Sequence, residues 1–355
     1  MLIKAEKLHR GDKVAAVSLS WGGAGDEKFR HRYEIGKKRI EELFGLNLIE
    51  MPNSLKGSEY LDKHPEARAE DLMNAFKNKE IKAIFSNIGG DDTLRLLPFI
   101  DFDVIKNNPK IFMGYSDTTV NHFMCYKAGL TSFYGPSILA EFAENVEMHD
   151  YTIKSIEKTL FSSKPVGEIK ASKHWTSEWL AWEKKENSKI KRKLNKENKG
   201  YEILQGEGKV RGKLIGGCIE VLDWLRGTIL WPELYEWENK ILFLETSEDQ
   251  PSPDYIRWYL RSLNAVGIFE KINGIIIGKP RDEKYYEEYK DQYLKVIRDE
   301  AKRDDLPIMY NLNFGHTSPI FILPYGVEAE IDCDNTKFKI NEAGVKTKIL
   351  KNEVL

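Results

Sequence analysis

The hydrophobic positions in the first half of the chain form short runs separated by longer amphipathic stretches. The runs predict buried strands at 14–19, 46–50, 83–88, 111–113 and 131–134. Between them, apolar residues recur at helical spacing and predict helices at 27–44, 65–76 and 151–160. Strands that alternate with helices are typical of a parallel sheet with helices on both faces. Ligands of such sheets bind at the carboxyl ends of the strands.

The second half has shorter apolar runs and more turn residues. Strands are predicted at 209–215, 241–244, 272–277, 308–310, 320–323, 328–331 and 337–340, with helices at 253–263 and 283–302. The late short strands favour a partly barrel-like set. We therefore predict an α/β fold: an N-terminal parallel α/β sandwich domain (1–165), a linker with a tryptophan-containing flap (166–208), and a C-terminal α/β domain (209–355).

The predicted flap combines a polar segment with three tryptophans. Residues 183–200 are almost all polar and mix acidic with basic side chains, which is typical of a solvated loop rather than a nucleic-acid surface. Trp175, Trp179 and Trp182 are spaced i, i+4, i+7, which predicts three indoles on one helix face. That face either packs onto the body of the protein or forms an aromatic lid over a cleft.

Composition and the absence of certain short motifs argue against several classes of function. The 355 residues carry a net charge of −2, so no overall field favours nucleic acid or an anionic membrane. Cys125, Cys218 and Cys333 are widely spaced, which argues against a disulfide framework and fits a reducing cytoplasm. We see no signal peptide and no apolar stretch long enough for a bilayer span. No HExxH, paired CxxC or Walker motif occurs, so we expect neither metal nor cofactor.

Candidate chemistry starts at the sequence KIFMGYSDTTVNH, residues 110–122. Ser116 lies where a short strand turns into a helix, and such a turn exposes a serine hydroxyl beside free helical N–H groups. Alternatively, Ser116 or Asp117 is an ordinary helix cap. A second turn, Gly89-Gly90, also follows a predicted strand. The topology therefore predicts that both turns open into one cleft.

A serine nucleophile needs a histidine base and a carboxylate that orients it. His316 follows a glycine at a predicted strand end, whereas His122 lies six residues beyond Ser116, on the wrong side of the helix. Glu245 ends the apolar run ILFLE. The next acidic residues, Glu248 and Asp249, are better placed to cap the following helix. The order serine, acid, histidine matches that of several serine hydrolases.

Five segments together resemble the family of serine peptidases that includes LD-carboxypeptidase and the microcin C self-immunity protein. They are DKVAAVSLSWGG, SNIGGDDTLRLLPFID, MGYSDTTVNH, ILFLETSED and FGHTSPIFILPYGVEAEID. The resemblance implies a parallel α/β domain that supplies the serine and a second domain that supplies the other two residues. It implies a Ser116–Glu245–His316 catalytic triad in a cleft between domains, an oxyanion hole from the Gly90 and Asp117 N–H groups, and no cofactor.

The resemblance also separates two branches of the family. Murein-recycling members tend to carry Arg-Gly-Gly-Tyr-Gly at the oxyanion turn, whereas this chain has Ile-Gly-Gly-Asp-Asp at 88–92, like the microcin-immunity branch. SEWLAWEKK resembles that branch's tryptophan loop, which stacks on a nucleobase. Substrate contacts are thus expected from Gly89, Asp91, Trp182 and, as the second match, Trp179.

We therefore expect an enzyme that cleaves an amide in a peptidyl- or aminoacyl-nucleotide. The alternatives are an LD-carboxypeptidase that removes the terminal D-Ala of a murein tetrapeptide and a non-catalytic small-ligand binding protein. The resemblance further implies a homodimer.

Overall fold

The computed structural model describes residues 2–347 and contains two main sheets. The first half supplies β1 Lys13–Val17, β2 Asn47–Glu50, β3 Ile81–Ser86, β4 Ile111–Gly114 and β5 Phe133–Tyr134. Its helices are α1 Glu27–Phe44, α2 Ser58–Lys63, α3 Pro65–Lys77, α4 Phe102–Asn107, α5 Thr119–Lys127 and α6 Asp150–Leu160. These strands pair in parallel, and the predicted parallel α/β arrangement is confirmed.

Within the described residues, the rest of the chain supplies all eight strands of the second sheet, a separate two-stranded sheet, and one strand that joins the first sheet. Its strands are β6 Gly167–Ile169, β7 His174–Trp175, β8 Asn195–Lys196, β9 Glu202–Gln205, β10 Lys209–Cys218, β11 Lys240–Glu245, β12 Gly274–Gly278, β13 Ile308–Leu312, β14 Leu323–Pro324, β15 Glu328–Asp332 and β16 Lys337–Ile340. β7 and β8 form the two-stranded sheet, and β14 joins the first sheet. The helices are α7 Ile219–Leu225, α8 Pro253–Ala265 and α9 Tyr286–Tyr293.

The strand orders show how the two halves interlock. The first sheet runs β14-β5-β4-β3-β1-β2, and the second runs β6-β16-β15-β10-β11-β12-β13-β9. The second is an open mixed sheet with β6 and β9 at its edges, so the late strands expected to be partly barrel-like form one side of it. β14 crosses back to pair with β5, which ties the end of the chain to the first sheet. Both layers are α/β, as predicted.

The burial of the central strands explains why the hydrophobic pattern predicted them correctly. β4 and β12 are buried at every residue, because parallel strands covered by helices on both faces read as continuous apolar runs. At the carboxyl ends of β4 and β11 lie Ser116 and Glu245. The two sheets therefore present their strand ends to one shared space.

Three local predictions were wrong. Trp175, Trp179 and Trp182 do not share a helix: Trp175 belongs to β7, and residues 176–184 are irregular. Thr176 instead exchanges two backbone hydrogen bonds with Ser318, at 2.7 and 2.8 Å, and this distant partner holds the segment extended.

Glu248 and Asp249 do not cap the next helix. Ser252 does, because its hydroxyl accepts the Tyr255 N–H at the start of α8. Of the strand predicted at 320–323, only Leu323 pairs, and it does so together with Pro324 in β14.

Candidate active site

Ser116 occupies a strained turn directly after β4. Its φ of 63° is unusual for a residue with a side chain, and strain of this kind tends to occur at functional sites. A short 3₁₀ turn, Ser116–Thr118, leads into α5, and the Thr119 hydroxyl donates to the Ser116 carbonyl at 2.7 Å. The serine therefore stands between a buried strand and a helix, as the sequence pattern predicted.

His316 connects Ser116 to Glu245. Its Nε2 lies 3.1 Å from Ser116 Oγ, and its Nδ1 lies 2.7 Å from Glu245 Oε2. Gly315 makes this approach possible, because a Cβ at that position would lie 2.5 Å from Glu245 Oε2. Glu245 is 1% exposed, so its carboxylate acts in a nearly water-free environment. The structure thus brings together the three residues that the sequence singled out.

Tyr134 is a fourth member of this network, and the sequence did not reveal it. Its hydroxyl donates to Glu245 Oε1 at 2.5 Å and accepts the Ser116 backbone N–H at 3.1 Å. Burial and the neighbouring Glu245 carboxylate raise the pKa of Tyr134 well above its ordinary value, so the hydroxyl keeps its proton. The position of Tyr134 at the end of β5, beside β4, was the one available signal.

Glu248 provides a second carboxylate at the same histidine. Its Oε2 lies 3.0 Å from His316 Nε2, the nitrogen that also faces Ser116. Burial lowers the pKa of His316, but Glu245 and Glu248 outweigh burial and hold that pKa well above its ordinary value. The hydrogen bond to His316 lowers the pKa of Glu248 to about 2. The Glu248 carboxylate therefore favours the protonated form of the His316 imidazole.

The Gly89-Gly90 turn packs directly against the nucleophile. A Cβ on Gly89 would lie 2.9 Å from Ser116 Cβ and 3.1 Å from its Oγ. Gly90 has a φ of 148°, and a Cβ there would lie 2.2 Å from Ser20 Oγ. The turn is buttressed by Asp92, whose carboxylate is paired with the fully buried Arg68. Only glycine leaves this space open beside the serine.

Asp117 has a buried side chain that is turned away from the cleft. Its Oδ2 accepts the Thr93 N–H at 2.9 Å and the Thr93 hydroxyl at 2.6 Å. Burial raises the pKa of this carboxyl. The side chain thus fixes the Ser116–Thr118 turn, and any role towards substrate falls to the backbone N–H.

A cavity of about 630 Å³ opens from Ser116 and His316. Its walls include Gly89, Gly90, Asp91, Trp179 and Trp182. The Trp179 and Trp182 rings are 4.9 Å apart, and the Arg32 guanidinium lies 4.3 Å from the Trp182 ring. Trp179 is 55% exposed. Two of the three tryptophans thus line the cleft, whereas Trp175 is buried beside Lys279.

The other candidate groups do not join the site. His122 is fully buried, accepts from the Ser132 hydroxyl and donates to the Gly114 carbonyl, both at 2.9 Å. Burial lowers the pKa of His122 to about 3, so it stays neutral. Within residues 2–347, no cluster of three or more His, Cys, Asp or Glu side chains could hold a metal ion. Nor does any helix in this range have the length and apolar character needed to cross a membrane.

A serine, a histidine and a buried carboxylate are linked by hydrogen bonds, one to the next, which is the catalytic geometry of a serine hydrolase. Comparisons with known proteins identify the family. Residues 14–135 match the LD-carboxypeptidase N-terminal domain, and residues 211–331 match the LD-carboxypeptidase C-terminal domain. The chain belongs to the LD-carboxypeptidase family of serine peptidases and is a serine carboxypeptidase-type hydrolase.

Two individual relatives cover most of the chain. The microcin C7 self-immunity protein MccF of Escherichia coli is 33% identical over 79% of each chain. A provisionally named carboxypeptidase of Vibrio cholerae is 31% identical over 98% of this chain and 100% of its own.

Solved structures agree with the family assignment. An MccF-like protein of Streptococcus pneumoniae, in complex with AMP, superposes with a TM-score of 0.86 at 38% identity and covers 94% of this chain and 99% of its own. MccF in complex with glutamyl sulfamoyl guanosine superposes with a TM-score of 0.81 at 28% identity, over 97% and 99% of the two chains.

Proposed function

We propose that this enzyme hydrolyses the amide bond of an aminoacyl- or peptidyl-nucleotide of the microcin C type. One observation carries the proposal: the hydrogen-bonded Ser116–His316–Glu245 triad lies at a cavity whose walls include Trp179 and Trp182. A hydrolytic group and an aromatic surface in one cleft suit a substrate with a scissile carbonyl at one end and a base at the other.

The proposed mechanism starts with His316 in its neutral form. His316 Nε2 takes the proton of Ser116 as Oγ attacks the carbonyl carbon, and then gives that proton to the leaving nitrogen. Glu245 holds the Nδ1 proton and stabilises the imidazolium. Water then attacks the acyl ester, with His316 again acting as base, and the serine is regenerated.

The Gly90 and Asp117 N–H groups are proposed to bind the oxyanion. In support, Gly89 and Gly90 leave open space beside Ser116, and Asp117 immediately follows the nucleophile. Fixed backbone donors at this position stabilise the charge that develops on the carbonyl oxygen.

Trp179 and Trp182, together with Gly89 and Asp91, are proposed to contact the substrate. The relatives support a nucleotide at this end of the cleft, since MccF and an MccF-like protein have structures with sulfamoyl nucleosides and AMP. Arg32 already contacts the Trp182 ring, whereas Trp179 is more than half exposed. A base therefore stacks on the indole pair, with Trp179 as its more accessible member.

Removal of the terminal D-Ala from a murein tetrapeptide is the second candidate. Its support is the family itself and a relative of Bacillus subtilis named provisionally as a murein peptide carboxypeptidase, 28% identical over 98% of this chain. The Asp91-Asp92 pair at the oxyanion turn, in place of Tyr-Gly, favours the nucleotide substrate.

A comparison of two substrates tests the proposal. We expect purified enzyme to cleave an aminoacyl-sulfamoyl adenosine with a higher kcat/KM than a murein tetrapeptide. Replacing Trp179 or Trp182 with Ala should lower the nucleotide kcat/KM by about 5- to 150-fold, the usual worth of base stacking, and change tetrapeptide cleavage little. Tyr235→Ala, which removes a 70% exposed aromatic side chain outside the cavity, is the control. Equal losses on both substrates would remove the stacking proposal.

We further propose a homodimer that works in the cytoplasm. Trp224 on α7 and Trp258 on α8 are 41% and 59% exposed, and these two helices pack against each other. Exposed apolar surface of this kind is typical of an interface. Trp224→Ser with Trp258→Ser should shift sedimentation from dimer to monomer, whereas Phe99→Ser, exposed on the first sheet's side of the molecule, should not. Cell fractionation tests the location.

The domain boundaries 1–165, 166–208 and 209–355 are likewise a proposal. In support, the two matched family domains, 14–135 and 211–331, each fall within one of the predicted units. Limited proteolysis is expected to cut first within 183–200, where nearly every side chain is exposed or half-exposed.

A further inference from the structure

The mechanism leaves Glu248 unused, although this side chain touches the general base. Its Oε2 and Ser116 Oγ lie 3.0 Å and 3.1 Å from the same atom, His316 Nε2. When Nδ1 donates its proton to Glu245, a neutral imidazole has only a lone pair at Nε2. A carboxylate oxygen 3.0 Å from Nε2 disfavours this neutral form and stabilises a proton on that nitrogen.

A proton on Nε2 is incompatible with catalysis. The Ser116 hydroxyl proton has to move to Nε2 as Oγ attacks, and an occupied nitrogen cannot accept it. The arrangement with Glu248 against His316 is therefore a resting state. Turnover requires Glu248 to leave Nε2 and the proton on that nitrogen to be lost to solvent.

Glu248 can move without the loop around it moving. The loop is anchored by Ser247, whose N–H and hydroxyl donate to Glu220 at 3.0 and 2.5 Å. On the other side, Gln250 donates to Asp282 at 2.8 Å. Between these anchors the Glu248 side chain is 56% exposed and faces the cavity. Rotation of an exposed side chain is fast compared with typical turnover.

The charges in the cavity indicate what draws Glu248 away. Its acidic wall residues outnumber its arginines, which are Arg32, Arg192 and Arg281. Arg32 is held by backbone carbonyls, and Arg192 is paired with Glu144. A ligand ammonium group is therefore attracted to the acidic wall. In an aminoacyl substrate the α-ammonium is two bonds from the carbonyl carbon that Ser116 attacks, which brings it into the reach of Glu248.

We propose that Glu248 is a substrate-sensing latch: its carboxylate holds His316 in the inactive, proton-loaded form until the free α-ammonium of an aminoacyl group draws it away. The latch rests on the proposed hydrolysis at Ser116 and adds to it a preference for a substrate with an unblocked amine. Glu248 is a positioning and specificity-determining residue, because it acts through His316.

The charged and titratable groups around the latch come from several elements. They are Glu245 from β11, Tyr115 from the nucleophile turn, Glu141 beside Tyr115, and Arg281 facing Glu248. Glu245 raises the pKa of His316 in every variant considered below, so only the contribution of Glu248 changes. Glu287 on α9 is 72% exposed and is not among the residues that line the cavity, so it provides a matched carboxylate for the control.

The test compares wild type, Glu248→Gln and Glu287→Gln on an aminoacyl-sulfamoyl adenosine with a free amine and on its N-acetyl form. We expect wild type to favour the free amine by about tenfold or more at pH 6, where the latch is closed. In Glu248→Gln this preference should fall to about threefold or less, and the acid limb of kcat/KM should move to lower pH by about one unit or more. Glu287→Gln should retain the wild-type values.

An NMR titration of His316 gives a readout that does not depend on turnover. In Ser116→Ala, which holds the substrate uncleaved, the free-amine compound should lower the pKa of His316 and the N-acetyl compound should not. An active Glu248→Gln enzyme with unchanged preference and acid limb would overturn the latch, as would equal changes in Glu287→Gln. If wild type cleaves neither compound, the proposed substrate fails. In that case the NMR titration still tests the latch. If His316 has the same pKa in Glu248→Gln as in wild type, the latch is rejected.

Discussion

Replacing Tyr134 with Phe tests how the catalytic geometry is held. The substitution removes one hydroxyl and keeps the ring, which packs 5.4 Å from Phe243. Two hydrogen bonds are lost: the one donated to Glu245 Oε1 and the one accepted from the Ser116 N–H. Glu245 then keeps His316 as its partner but loses the donor that fixes the second oxygen of its carboxylate.

The magnitude follows from the charge on Glu245. A hydrogen bond to a buried charged group contributes about 1.5–3 kcal/mol. If that free energy is lost mainly in the transition state, kcat falls by about 10- to 150-fold, since each 1.36 kcal/mol is a factor of ten. KM should change little, because Tyr134 is not among the residues that line the cavity.

Steady-state kinetics on the aminoacyl-sulfamoyl adenosine, with Tyr325→Phe as the matched control, measures this effect. Tyr325 is equally buried, and its hydroxyl donates to the Gly216 carbonyl at 2.5 Å, away from the three reacting residues. Tyr325→Phe should lose about 1 kcal/mol of stability and Tyr134→Phe about 1.5–3 kcal/mol, whereas only Tyr134→Phe should lose kcat. A Tyr134→Phe kcat within twofold of wild type, or an equal loss in Tyr325→Phe, would refute the reasoning.

Two further predictions concern the oxyanion turn and the buried histidine. Gly89→Ala should lower kcat by about 100-fold or more while the protein stays folded, because the new Cβ would lie 2.9 Å from Ser116 Cβ. Circular dichroism checks the fold and steady-state kinetics measures kcat. A Gly89→Ala enzyme with full activity would contradict the prediction. Burial holds the pKa of His122 at about 3, below its unfolded value, so the folded state binds fewer protons and stability falls as pH drops below about 6.5. Between pH 6.5 and 5 the loss should reach about 2 kcal/mol in chemical denaturation, and His122→Gln should flatten that slope. An unchanged slope would refute this account.

Predictions from sequence succeeded where local pattern and topology decide the structure. The continuous apolar runs of β4 and β11 located two buried parallel strands, and the carboxyl ends of such strands carry Ser116 and Glu245. The glycine before His316 and the Gly89-Gly90 turn pointed to the same cleft. The family resemblance supplied the pairing of these residues across two sheets.

The pattern failed where a distant partner overrides local preference. The i, i+4, i+7 tryptophans gave a helical signal, but the backbone pairing of Thr176 with Ser318 holds the segment extended. Glu248 had the position of a helix cap, yet Ser252 caps α8 and leaves Glu248 at the cleft. Tyr134 was missed because its role depends on contacts 18 and 111 residues away along the chain.

The most direct test of the central claim is hydrolysis by wild type and by Ser116→Ala. The enzyme is incubated with an aminoacyl-sulfamoyl adenosine, and the released amino acid and sulfamoyl adenosine are measured by mass spectrometry. Thermal unfolding of both proteins checks that the variant is folded. We predict that wild type releases both products in equal amounts and that Ser116→Ala loses several powers of ten in kcat. A folded Ser116→Ala enzyme that hydrolyses this compound at the wild-type rate would contradict the account.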